Sequence, residues 1–213
     1  MNLEIKASIP RMRWLAALGS AGSDDAALMK KLDDVEKIIF VAARPKAIYR
    51  VMDRHDVKIS GISLEKHLEG CRKVVVMALT LGIGVDNAIR KAQVTDMAAA
   101  VIMDSGASVL TEMMCDDFEA YIREHVDGYM TERFSPGYGD SPLELQKTVV
   151  AYIDGQRKIG LNVTADILMI PRKSVTAFIG LADHPVTGRL ATCEECVLRD
   201  KCTLRREGKS CGD

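Results

Sequence analysis

Aromatic side chains are scarce in this chain, at 5%, with one tryptophan, five tyrosines and four phenylalanines. A nucleic-acid binder that stacks bases on aromatics set among cations needs more of both, and the formal net charge here is −1. The same balance gives no electrostatic reason to expect an anionic membrane as partner. No apolar run approaches the length of a transmembrane helix, and Met1-Asn2-Leu3-Glu4-Ile5-Lys6 lacks the apolar core of a signal peptide. The expectation is a cytoplasmic protein with neither nucleic acid nor membrane among its partners. Histidine is sparse too: His55, His67, His125 and His184 are scattered, and none is spaced against a cysteine as a catalytic pair would be. What the chain has is 47% hydrophobic and 28% charged residues over 213 positions, enough for one substantial core with or without a small appendage.

Cysteine is unevenly used. Without an export signal the six cysteines are expected to stay reduced and to serve as thiols or ligands. Cys71 and Cys115 stand alone in apolar or helical sequence, whereas Cys193-x2-Cys196-x5-Cys202-x8-Cys211 crowds the C-terminal end. Four thiolates on a short polar chain can close a tetrahedral site, and both zinc and an iron–sulfur cluster accept that set. Zinc commonly uses two CxxC pairs and this tail has one. The irregular spacing, with Arg205, Arg206 and Lys209 to compensate an anionic centre, favours the cluster. The character of the chain changes from Ala182 through His184-Pro185 and Gly188, so the expected organisation is one domain over 1–185 and a metal or iron–sulfur tail over 190–213.

Residues 1–23 are short on pattern. Apolar residues at Leu28, Leu32, Val35, Ile38 and Ile39 predict an amphipathic helix over Asp24 to Ala43, ending before Pro45. Ala47 to Met52 and Val57 to Ile59 read as short strands about a turn at Arg54-His55-Asp56, and Ser63 reads as the cap of a short helix ending near Leu68. Lys73 to Leu79 is a continuous apolar, β-branched run, the pattern of a central strand buried on both faces. Helices are expected at Val85 to Lys91 and, at unusual length, from Thr95 to Glu124, where Gly106 either admits a close neighbour or kinks the helix. A turn follows at Gly155 to Leu161, then strands at Asn162 to Ile170 and Ser174 to Leu181, with Val175, Ala177 and Ile179 on one face and Thr176 and Phe178 on the other.

The segment Arg133-Phe134-Ser135-Pro136-Gly137-Tyr138-Gly139-Asp140-Ser141-Pro142-Leu143-Glu144-Leu145-Gln146 is the most informative. Ser141 as cap, Pro142 at the first helical position and Glu144 as capping-box partner predict a helix start. The part before it is then a loop whose prolines fix φ and whose glycines let backbone approach a ligand, in front of a helix N-terminus that suits an anion.

That segment, read with Met169-Ile170-Pro171-Arg172-Lys173-Ser174-Val175-Thr176-Ala177-Phe178-Ile179-Gly180, resembles the activation (reactivation) domain of cobalamin-dependent methionine synthase in its stand-alone short form. The likeness extends through Val74 to Leu81 and Gln93 to Glu112, covering roughly residues 30 to 180. The resemblance implies an α+β fold, a curved, mainly antiparallel sheet flanked by long helices. It also implies reductive reactivation in trans of a cobalamin-dependent methionine synthase or a related corrinoid methyltransferase, with S-adenosylmethionine as the methyl donor that traps reduced cobalamin on the partner. An electron donor such as flavodoxin or ferredoxin is implied as well. Arg133 matches the arginine that pairs with the ligand carboxylate, Glu112 the acid near its amino group (with Asp116 the rival), Ser135 the small residue whose backbone meets the adenine region, and Gly137 and Tyr138 the covering turn. The sequence departs from the full-length enzymes in lacking a counterpart of their N-terminal acidic contact, and in carrying the cysteine tail where they have a tyrosine-bearing strand. Arg172 and Lys173 also depart from those enzymes, and read either as contacts to a partner's acidic residues or phosphate or as a plain polar turn. The alternative function is an iron–sulfur electron-transfer or docking subunit for a corrinoid protein that does not bind S-adenosylmethionine.

Overall fold

The computed structural model describes residues 1–186, and the four cysteines read as a metal site lie outside them. The architecture is α+β. A four-stranded antiparallel sheet has the order β1 (Lys46–Asp53), β2 (Lys73–Thr80), β6 (Ser174–Ala182), β3 (Tyr129–Met130). The apolar run at residues 73–80 is the central strand expected of it, with Val74 through Leu79 fully buried. Because side chains alternate across a strand, its two sets feed two cores.

On one face Val75, Met77 and Leu79, with Ala177 and Ile179 of β6, pack under the helices α1 (Arg11–Ala17), α2 (Ala26–Ala42), α4 (Ile83–Thr95) and α5 (Met97–His125). On the other, Val74, Val76 and Ala78, with Phe178, pack against Leu64 and Leu68 around α3 (Ile62–His67), Phe134, and Leu145 and Val149 of α6 (Leu145–Tyr152). The alternation expected of Ala177 and Phe178 is therefore present.

The 29-residue α5 spans about 43 Å at 1.5 Å per residue. Asp96 caps it, accepting from Ala99 N–H at 3.0 Å, as Asp25 caps α2 through Ala27 N–H at 2.8 Å. Contrary to the reading from hydropathy runs, α5 does have the length and apolar content of a membrane span. Half of its most apolar window is buried, as expected of a helix laid across a core.

Five other expectations are corrected. The patternless N-terminus contains α1, whose Trp14 is fully buried and donates from Nε1 to the Ile102 carbonyl at 3.0 Å. Val57 to Ile59 is not a strand: Val57 joins the second core, while Lys58 N–H is taken by the Tyr152 hydroxyl at 2.8 Å. Gly155 to Leu161 contains a short helix, α7 (Gly155–Ile159). Asn162 to Ile170 folds back as a hairpin of β4 (Asn162–Val163) and β5 (Met169–Ile170), with Ile167 at φ 62° in its turn. Ser63 is not a cap either, since Gly61 occupies the N-cap position of α3.

Candidate functional site

The loop that follows β3 continues along β6 before it turns away. Phe134 exchanges both backbone hydrogen bonds with Phe178, each 2.9 Å, and so anchors Arg133 beside the sheet edge. Tyr138 N–H then reaches the Ser135 carbonyl at 3.2 Å, closing a tight turn with Pro136 and Gly137 at its centre. Gly137 has φ 92°, the conformation that the third position of a type II turn demands and that glycine adopts without strain. Pro136 is buried, whereas Gly137 and Tyr138 are exposed.

The far end of the loop is latched. Asp140 accepts from Ile62 N–H and Ser63 N–H, each at 2.8 Å, which satisfies two free amides at the start of α3. The Ser63 amide bond, followed by bonds from its hydroxyl and from Ile62, holds the Asp140 carboxyl below its ordinary range. Gly61 lies so close beneath that a Cβ there would stand 2.8 Å from Ser141 Cα.

Ser141 does not cap the next helix. Its N–H and carbonyl are committed to Tyr138 and Gly137 in the loop, and its buried Oγ has no hydrogen-bond partner among the described residues. Winding begins at Pro142 through i to i+3 bonds, Leu145 N–H to Pro142 O at 3.2 Å and Gln146 N–H to Leu143 O at 3.0 Å, before α6 proper. The regular helix thus begins later than the proline suggested, at Leu145 with Glu144 in the N-cap position, and without the capping box.

Arg133 reaches across to α5. Nη1 donates to Glu119 Oε2 at 2.9 Å, and Nη2 donates to Asp116 Oδ1 at 2.8 Å and lies 3.5 Å from Glu112 Oε2. Glu112, Asp116 and Glu119 stand at i, i+4 and i+7, which a helix places on one face. Burial opposes the Arg133 charge, but the Asp116 bond and the surrounding negative groups raise its pKa above the ordinary arginine value. Sequence reasoning missed Glu119; the signal available was its heptad spacing from Glu112. Cys115, beside Asp116 in the chain, faces the core, and burial pushes its thiol up to about 12, the direction that disfavours a thiolate.

The other motif ends on the same helix. Lys173 Nζ lies 2.9 Å from Asp104 Oδ1 and 2.9 Å from Ser108 Oγ, one turn before Glu112. Lys173 is therefore used within the fold, and the Arg172 backbone N–H is fixed by buried Asp86 at 2.8 Å. A concavity of about 300 Å³ lies further toward the N-terminal end of α5, lined by Ile83, Asp86, Arg90, Asp104, Leu168 and Arg172; Arg133 is not part of it.

The structure thus brings Glu112 and Arg133 together and places Ser135, Gly137 and Tyr138 on the turn that follows. Chemically, the arrangement sets a planar donor fork, engaged on its two arms by Glu119 and Asp116, beside a carboxylate of 62% side-chain exposure, the two kinds of group that the carboxylate and ammonium of an α-amino acid pair with. No protein-family model matches the chain, and no curated protein does. Among solved structures it is similar to the MetH reactivation domain bound to AdoHcy, with a TM-score of 0.61 and 16% identity over 99% of this chain and 86% of that one. At that identity the likeness establishes the fold.

Proposed function

We propose that this protein reactivates a cobalamin-dependent methionine synthase, or a related corrinoid methyltransferase, in trans, with S-adenosylmethionine as methyl donor. The observation that carries the reading is the convergence of Arg133 and Glu112 beside a rigid Pro-Gly turn, in a fold shared with a domain solved with AdoHcy. Arg133 binds the ligand carboxylate and Glu112 its ammonium, the Ser135 backbone meets the adenine region, and the Gly137–Tyr138 turn covers the ligand. A one-electron donor such as flavodoxin or ferredoxin reduces the partner's cob(II)alamin, and transfer of the sulfonium methyl to the reduced cobalt leaves S-adenosylhomocysteine. This chain supplies position rather than an acid, base or nucleophile. Cys193, Cys196, Cys202 and Cys211 hold an iron–sulfur cluster or zinc in this reading, with 190–213 as a unit separate from 1–185.

Calorimetric titration with S-adenosylmethionine tests the site. Arg133→Ala removes a charge-assisted pair worth roughly 1.5 to 3 kcal/mol, so affinity is expected to fall about ten- to a hundredfold. Arg133→Lys is expected to restore little, because an ammonium lacks the planar fork. Absence of wild-type binding, with or without the corrinoid partner, would overturn the methyl-donor role and leave electron transfer or docking. For the tail, Cys196→Ser is expected to empty one metal site per chain while the described domain stays folded. Full metal occupancy in a variant without all four tail cysteines would refute that assignment.

A further inference from the structure

The three carboxylates around Arg133 are held unequally. Glu119 is the most buried, with 14% side-chain exposure, and both its oxygens are engaged, Oε2 by Arg133 and Oε1 by Arg123 Nη2 at 3.0 Å. Asp116 makes an equally short bond to Arg133, yet its side chain is 54% exposed and its other oxygen lies 3.9 Å from Arg13 Nη1. Glu112 is the most exposed and the most distant. One acid is therefore buried and tied to two arginines, one is bonded to the guanidinium while half exposed to solvent, and one stands beside it.

A carboxylate-bearing ligand needs two N–H groups of the fork, and Asp116 already takes the Nη2 side as such a ligand would. We propose that Asp116 is an intramolecular stand-in that the ligand carboxylate displaces from Arg133, while Glu119 is a positioning residue that holds the guanidinium in place before and after the exchange. The inference rests on the reading of Arg133 as the carboxylate-binding residue. Its physical basis is occupancy: a site available for only part of the time binds with an affinity reduced by that fraction, and removing the occupant restores it. Glu119 has the opposite effect. Without its charge the fork loses its anchor on α5, and part of the ligand's binding energy goes into ordering the long Arg133 side chain.

The two roles give shifts of opposite sign. In calorimetric titration of the full-length chain with S-adenosylmethionine, Asp116→Asn is expected to tighten binding about three- to tenfold. Glu119→Gln is expected to weaken it about tenfold, and Glu119→Asp to recover part of that loss. Both amides are close in shape to the acids they replace, and thermal melting of each variant checks the fold. Decarboxylated S-adenosylmethionine is the control, since it cannot use the fork: both variants are expected to bind it as the wild type does. Weaker binding by Asp116→Asn would make Asp116 part of the ligand site and overturn the stand-in. Wild-type affinity in Glu119→Gln, or an equal loss for the decarboxylated ligand, would overturn the positioning role. Absence of wild-type binding to S-adenosylmethionine is a different result, which removes the carboxylate reading of Arg133 and this inference with it.

Discussion

The two sides of α5 are held by different physics. Its apolar side is set by shape: Gly106 lies under the Trp14 indole so closely that a Cβ would overlap the ring, and Ala107, Leu110, Met114 and Phe118 are buried against the sheet face. Its acidic side is set by charge, with Lys173 on Asp104 and Arg133 on Glu112, Asp116 and Glu119, most of those acids half exposed. Close packing tolerates no substitute atoms, whereas a partly solvated ion pair can trade one carboxylate for another at small cost. A ligand site built on the second side can open without disturbing the first.

The sharpest way to break this contrast is on the apolar side. Trp14→Ala is expected to cost about 3 to 5 kcal/mol, from lost burial and the cavity left behind. Gly106→Ala, which forces a methyl into the indole, is expected to cost about 1 to 3 kcal/mol. Urea unfolding at neutral pH measures both. Glu112→Gln on the acidic side should change the same measurement by less than about 1 kcal/mol, because its pair is long and exposed. A loss as large as that of Trp14→Ala would erase the distinction.

A smaller effect is expected at the latch. The Asp140 carboxyl titrates below its unfolded value, so the stability it contributes is present above about pH 4 and is lost as pH falls through the lowered folded pKa. Asp140→Asn is expected to flatten that part of the acid limb and to leave the neutral side of the profile nearly parallel to wild type. An unchanged acid limb would mean that the α3 amides do not depend on this carboxylate.

Much of the scaffold was legible because it follows a single period. The buried run of β2, the 3.6-residue pattern of α2 and α5 and the alternation along β6 each record local burial. The misses lie where a partner distant in sequence decides. Trp14 stabilises α1 through Ile102 and Gly106, about 90 residues away. The turn that splits 162–170 carries Ile167, a β-branched residue, at the left-handed position where glycine or asparagine would have signalled it. Ser141 has the residue type of a cap but spends its backbone on the loop. At the site, Arg133 was visible from its motif, whereas Glu119 reads locally as one more solvated helix acid until the loop is folded over it.

The central claim is tested most directly by the visible spectrum of a corrinoid methyltransferase held as cob(II)alamin under anaerobic conditions, with a low-potential one-electron donor and S-adenosylmethionine. With this protein added, the cob(II)alamin bands are expected to give way to those of methylcobalamin, S-adenosylhomocysteine is expected to accumulate in equal amount, and Arg133→Ala is expected to slow the conversion at limiting S-adenosylmethionine. A conversion that proceeds equally well without the protein, or that leaves S-adenosylmethionine unconsumed, would contradict the account.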